Sequence, residues 1–154
     1  MNPIYLINRL KSTDDSAVQK KRPLIRVSDV MTKGVLTLTP TDSFDAAIEL
    51  MTRHDYQYVI VTDDENKVIG VISQRDIVGS RWKITDWRTK RVHHAMRGNP
   101  VTVTFRTPLV DAITVMITEK VNCLPVVRDN EQFCGTLTST EIMKSHLSLL
   151  AAME

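Results

Sequence analysis

Apolar residues and threonine alternate in VLTLT (35–39) and again in VTVTF (101–105), the period-two pattern of a strand with one buried face. Behind the first of these, Phe44, Ala47, Ile48 and Met51 fall at i, i+3, i+4 and i+7, one face of a helix. Leu109, Ala112, Ile113 and Met116 repeat that spacing behind the second. Asp42 is expected to cap the first helix. Thr107 is expected to cap the second, with Pro108 at its first helical position, where the missing N–H costs nothing. The apolar runs YVIV (58–61) and LPVV (124–127) come next, followed by the polar turns TDDENK and RDNEQ. VIGVI (68–72) and FCGTL (133–137) then complete two hairpins with loops of about five residues. Helical patterns start at SQRDIV (73–78) and TSTEIMKSHLSLLAAM (138–153).

The parallel is not only in pattern. Residues 27–78 slide onto 92–143 at a constant offset of 65 without a gap, and 11 of 52 positions are identical. They include Met31/Met96, Ala47/Ala112, Met51/Met116, Val61/Val126 and Gly70/Gly135, small or apolar residues that two copies of one packing scheme would share. A unit of this size buries too little apolar surface to stand alone, so the copies are expected to pack together with clefts between them. The expected fold is α/β (α+β), two tandem β-α-β-β-α repeats related by a pseudo-twofold axis. The expected boundaries are an N-terminal arm at 1–24, repeat 1 at 25–80 and a linker at 81–91. Repeat 2 follows at 92–146, and the end of its last helix at 147–154.

Composition narrows the class without naming it. The 154 residues are 42% hydrophobic and 25% charged, ordinary for a soluble globular chain. A net charge of +2 gives no reason to expect a polyanionic partner. No apolar run approaches the roughly 18 residues a membrane helix needs, and the N-terminus lacks the apolar core and cleavage site of a secretion signal. Cys123 and Cys134 sit in apolar strand-like runs, so reduced, buried thiols are expected rather than a disulfide. These features point to a cytoplasmic protein without membrane contact.

The remaining signal lies where each last strand meets its helix. Gly70-x-x-Ser73-x-x-Asp76 recurs as Gly135-x-x-Thr138-x-x-Glu141, with a Met before each first strand and Leu124-Pro125-Val126-Val127 in the second copy. With these motifs the chain resembles a tandem pair of cystathionine-β-synthase (CBS) domains, a Bateman module, over residues 27 to about 146. The resemblance implies adenosine-containing ligands (AMP, ADP, ATP or related) bound in the clefts between copies, with no other cofactor required. It also implies association as disk-like homodimers. The module is then expected to act on an unidentified protein partner.

Local physics offers a second account of the same corner. Ser73 and Asp76 make a capping box, and so do Thr138 and Glu141. The two accounts are compatible, since a helix N-terminus also favours a phosphate and a carboxylate has two acceptors for a ribose's hydroxyls. Carried over from the resemblance, site A would unite Ser73 and Asp76 with Val101, Val121, Asn122 and Cys123 of the other copy, and Arg97 would neutralise phosphate. Site B would unite Thr138 and Glu141 with Leu36, Tyr56 and Gln57. Site B is expected to be the weaker. It has the longer carboxylate, a bulky Tyr56, and Ile60 where the motif has proline.

Other features are read as structural. RWKITDWRTKRVHHAMR (81–97) mixes basic and aromatic residues, but its surrounding acids nearly cancel the charge, so a linker packed on Trp82 and Trp87 is expected rather than a nucleic-acid site. His93 and His94, adjacent on a strand, would face opposite sides, and no metal site is expected. Cys123 reads as a strand residue rather than a nucleophile, and no catalytic motif is present, so the chain is not expected to be an enzyme. The alternative to ligand sensing is a structural dimerisation or docking module with degenerate sites.

Overall fold

The structure is a computed structural model that describes residues 24–81 and 89–153. The arm expected at 1–24 (Leu24 apart) and Trp82 and Trp87 of the linker lie outside the described residues. In the first unit the pair YVIV and VIGVI forms β2 (Tyr58–Thr62) and β3 (Val68–Ser73), antiparallel across a five-residue loop. The short β1 (Thr37–Leu38) runs parallel beside β2, and β4 (Arg97–Gly98) adds to the free edge of β3. The second unit repeats this with β5 (Val103–Thr104), β6 (Cys123–Val127) and β7 (Phe133–Thr138). The described helices are α1 (Val27–Val30), α2 (Phe44–His54), α3 (Gln74–Arg81), α4 (Leu109–Glu119) and α5 (Ser139–Ala151).

The first strands are shorter than their alternating patterns, and the turns that end them correct the expected caps. Asp42 Oδ2 accepts from Thr39 N at 2.7 Å, and Thr107 Oγ1 accepts from Thr104 N at 3.1 Å. The two side chains close a turn that ends each strand, so neither caps the helix behind it. Ser43 caps α2, its Oγ accepting from Ala46 N at 3.1 Å. Pro108 holds the equivalent position before α4, one residue earlier than expected, and offers no side-chain acceptor. His93 and His94 lie on a 3-10 turn (Val92–His94) rather than a strand. A tighter backbone sets their rings side by side, centroids 4.0 Å apart.

The opening segment of each repeat crosses to the other unit. Val27 is fully buried among Val103, Ala112, Leu124 and Leu137, and Val92 among Phe44, Val59 and Ile72. The hydrogen bonds come in matched pairs: Val27 N to Thr107 O at 2.9 Å and Val92 N to Asp42 O at 2.8 Å. Ser28 N to Phe105 O and His93 N to Pro40 O follow the same rule. Each partner in one bond stands 65 residues from its counterpart in the other, the signature of a pseudo-twofold axis. Lys67 bridges Gln132, its own equivalent, so the axis passes between the two hairpin loops.

Close backbone approach explains the repeated glycine. A Cβ on Gly135 would stand 2.5 Å from Thr32 O, and one on Gly70 would stand 2.5 Å from Met96 Sδ. The segment that each glycine admits comes from the other repeat. A third buried group, Ile60 with Cys123 and Phe133, joins the units across their sheets.

Candidate functional site

The end of β3 turns into α3 at Ser73, and the Asp76 carboxylate folds back on that corner. Asp76 Oδ2 accepts from Ser73 N at 2.8 Å and from Ser73 Oγ at 2.7 Å, while Asp76 N donates to Ser73 Oγ at 3.2 Å. The expected capping box is therefore present. Arg97 of β4 approaches the other oxygen, its Nη2 3.5 Å from Asp76 Oδ1. The Asp76 side chain is 16% exposed and that of Arg97 is 67% exposed, so the pair sits at a mouth rather than in a core.

That mouth opens on a cavity of about 570 Å³, cavity A. All seven residues assigned to site A line it: Ser73, Asp76, Arg97, Val101, Val121, Asn122 and Cys123. Sequence reasoning missed Arg75 and Lys120, which line the same cavity, and Tyr58, which borders both cavities; Gln57, expected at site B alone, also borders both. Lys120 ends α4 in the left-handed region (φ 55°), a place where a lysine carries no local motif. The offset comparison could have found both cations, because Arg75 faces Thr140 and Lys120 faces Asp55 in register.

The pseudo-equivalent cavity B holds about 230 Å³ and is lined by Tyr56, Gln57, Thr138 and Glu141 as expected. Leu36 is not part of it; this side chain is exposed, and Val35 lines the wall instead. Three features shrink the space. Tyr56 occupies the place of Val121, Lys144 that of Gly79, and Glu141, one methylene longer than Asp76, reaches across to Thr32. Glu141 Oε2 accepts from Thr138 N and Thr138 Oγ1, and Oε1 accepts from Thr32 Oγ1 at 2.8 Å. Thr32 and Arg97 are equivalent positions. Where site A pairs a short carboxylate with a long cation, site B pairs a long carboxylate with a short hydroxyl.

Cys123 borders both cavities, yet burial pushes its thiol up to about 12, and the negative charge of Glu141 adds to the effect. Such a group is no thiolate nucleophile near neutral pH. Burial also raises the half-buried Cys134. Among the described residues, no cluster of three or more His, Cys, Asp or Glu is placed to hold a metal ion, and no helix is long and apolar enough to cross a membrane.

Comparison with known proteins gives the same architecture. A Vibrio cholerae protein described as an acetoin utilization protein (AcuB) superposes with a TM-score of 0.76, at 26% identity, over 84% of this chain and 96% of that one. The structure of CBSX2 in complex with AMP superposes at 0.72, with 27% identity, over 80% of this chain and 97% of that one. An inosine-5'-monophosphate dehydrogenase of Methanocaldococcus jannaschii is 27% identical over 139 residues, 90% of this chain but 27% of the dehydrogenase. The chain spans 27% to 40% of the length of the first three curated relatives it matches. The CBS domain model matches residues 27–82 and again 91–148, so the chain belongs to the CBS domain family and carries two copies in tandem.

Proposed function

We propose that the chain is a regulatory module that senses an adenosine-containing nucleotide, AMP, ADP, ATP or a related compound, in cavity A. The observation that carries this reading is the convergence of seven residues from both repeats on one cavity of about 570 Å³, well inside the range of small-molecule sites. The related CBSX2, 27% identical, has been solved with AMP. Val101 and Val121 suit the flat base, the backbone at 121–123 its edge, Asp76 the ribose hydroxyls, and Arg97 a phosphate. Cavity B, smaller and with its Glu141 carboxylate engaged by Thr32, favours a structural role at that end.

The reading is regulatory rather than catalytic. Arg97 sits on β4, which opens repeat 2 yet hydrogen-bonds β3 of the first unit. A ligand that reaches from Arg97 and Asp76 on that unit to Val121 and Asn122 of the second acts at the seam between the units. It shifts their relative orientation by no more than its differential affinity for the two arrangements. The signal passes to a protein partner, and the module pairs as a homodimer in the cytoplasm.

Calorimetric titration of two variants tests the assignment. Asp76→Ala weakens nucleotide binding by roughly 1.5–3 kcal/mol and costs about 1 kcal/mol of stability through the lost cap. Glu141→Ala costs at least as much stability, because Thr32 also loses its acceptor, but leaves affinity nearly unchanged. Equal loss of affinity in both variants, or none in either, would reduce the corner to a helix cap.

A further inference from the structure

The two cavities are copies of one site, and the offset of 65 residues maps one lining onto the other almost throughout. Their charges are not copied. Arg75, Arg97 and Lys120 of cavity A become Thr140, Thr32 and Asp55 in cavity B. Among the described residues, cavity A thus gathers three cations against the single carboxylate of Asp76, whereas cavity B gathers Asp55 and Glu141 against Lys144. We infer that cavity A selects ligands that carry a phosphate and cavity B turns them away, so that each chain takes up one phosphorylated ligand. The inference rests on the adenosine reading of cavity A and deepens it.

The Asp76–Arg97 pair supplies the selecting step. A neutral nucleoside that engages the Asp76 carboxylate competes with the guanidinium 3.5 Å away and offers it no anion in exchange. A phosphorylated nucleoside does both, since its ribose takes Asp76 while its phosphate takes Arg97, a planar fork suited to that anion. Lys120 and Arg75 add their field within a partly enclosed cleft, where charges of one sign concentrate an oppositely charged ligand. In cavity B a phosphate meets two carboxylates, and like charges brought together repel it. The backbone keeps the contrast in place: Lys120 and Asp55 both end a helix at φ 55°, holding their side chains at equivalent mouths.

The test compares AMP with adenosine and S-adenosylmethionine by calorimetry, on the full chain and on a double variant, Arg75→Thr with Lys120→Asp. Both replacements are the residues cavity B carries at the same places, and Asp55 already adopts the backbone that Lys120→Asp requires. Melting curves confirm that the exposed substitutions leave the fold intact, with the single Lys120→Asp variant as the substitute if they do not. The expected result is one AMP per chain, with adenosine and S-adenosylmethionine at least about tenfold weaker. The double variant should lose AMP affinity by roughly ten- to hundredfold and leave adenosine little changed. Adenosine as tight as AMP, an unchanged double variant, or two AMP molecules per chain would overturn the inference while leaving the adenosine reading in place. Should no adenine compound bind, that reading fails, and pyrophosphate decides the rest. Binding that the double variant abolishes upholds the phosphate site, and no binding overturns it.

Discussion

Gly70 and Gly135 occupy the same place in their strands, yet a methyl group at each meets a different obstacle. At Gly135 the obstacle is the Thr32 carbonyl oxygen, 2.5 Å from an added Cβ, held in a backbone bridge to Thr136. At Gly70 it is the sulfur of Met96, the far part of a flexible side chain that can rotate away. Gly135→Ala is therefore expected to cost about 1–3 kcal/mol, a fall of several degrees in melting temperature. Gly70→Ala is expected to cost less than about 1 kcal/mol. Melting curves that rank the two the other way would refute this account. Cys123 gives a second residue-scale prediction. With its thiol raised from 9.0 to about 12, the folded state holds the proton more tightly than the unfolded chain. This contribution to stability is present below pH 9 and is lost as the pH climbs toward 12. Native protein at pH 8 should therefore alkylate at Cys123 far more slowly than denatured protein. Equal rates would show that the thiol is neither buried nor raised.

At the scale of elements, the sequence showed which strands and helices form but not which repeat they serve. The alternation at 35–39, the i, i+3, i+4, i+7 spacing behind it and the five-residue loops all have counterparts in the structure. The boundaries moved where side chains chose a different local partner, as Asp42 and Thr107 did in closing turns. The exchange of opening segments had no signature at all. Met31 and Met96, like Val27 and Val92, are so nearly equivalent that each could serve its own repeat or the other by pattern alone. The cations of cavity A were half legible, since the offset of 65 marks Arg75 and Lys120 as unlike their counterparts Thr140 and Asp55. Arg75 and Lys120 look like ordinary surface residues until the fold brings them to one mouth. The exchange itself is testable. Val92→Ala and Val27→Ala each empty a fully buried site and should cost about 1–3 kcal/mol. Hydrogen exchange should then quicken across the exchange: in β2 and β3 for Val92→Ala, and in β6 and β7 for Val27→Ala. Loosening confined to the mutated residue's own repeat would contradict the structure.

At the scale of the whole molecule, the question is what covers the apolar side chains the fold leaves outside. An apolar helix face carrying Met51 and Met116 would be one candidate for such a surface, but both are buried, since their register turns them to the sheets. Val78 is exposed on α3 of the first unit, but the rows of exposed residues are Val110 and Ile117, seven apart on α4, and Met143, Leu147 and Leu150 along one side of α5. Both rows belong to the second unit. On α2 of the first unit the positions equivalent to Val110 and Ile117 are Asp45 and Thr52. An isologous dimer pairs identical patches across a twofold axis, and burying exposed apolar area drives it. The proposed homodimer should therefore centre on the helices of the second unit. Giving that unit the residues of the first, Val110→Asp with Ile117→Thr, is then expected to convert a species of twice 17.5 kDa into one of 17.5 kDa in sedimentation at micromolar concentration. Both side chains point outward, so the melting temperature of the dissociated chain should fall only by the linkage that the lost association removes, and should cease to depend on concentration. A wild-type chain that sediments at 17.5 kDa would remove the dimer from the proposal. A double variant that still pairs would move its interface off α4.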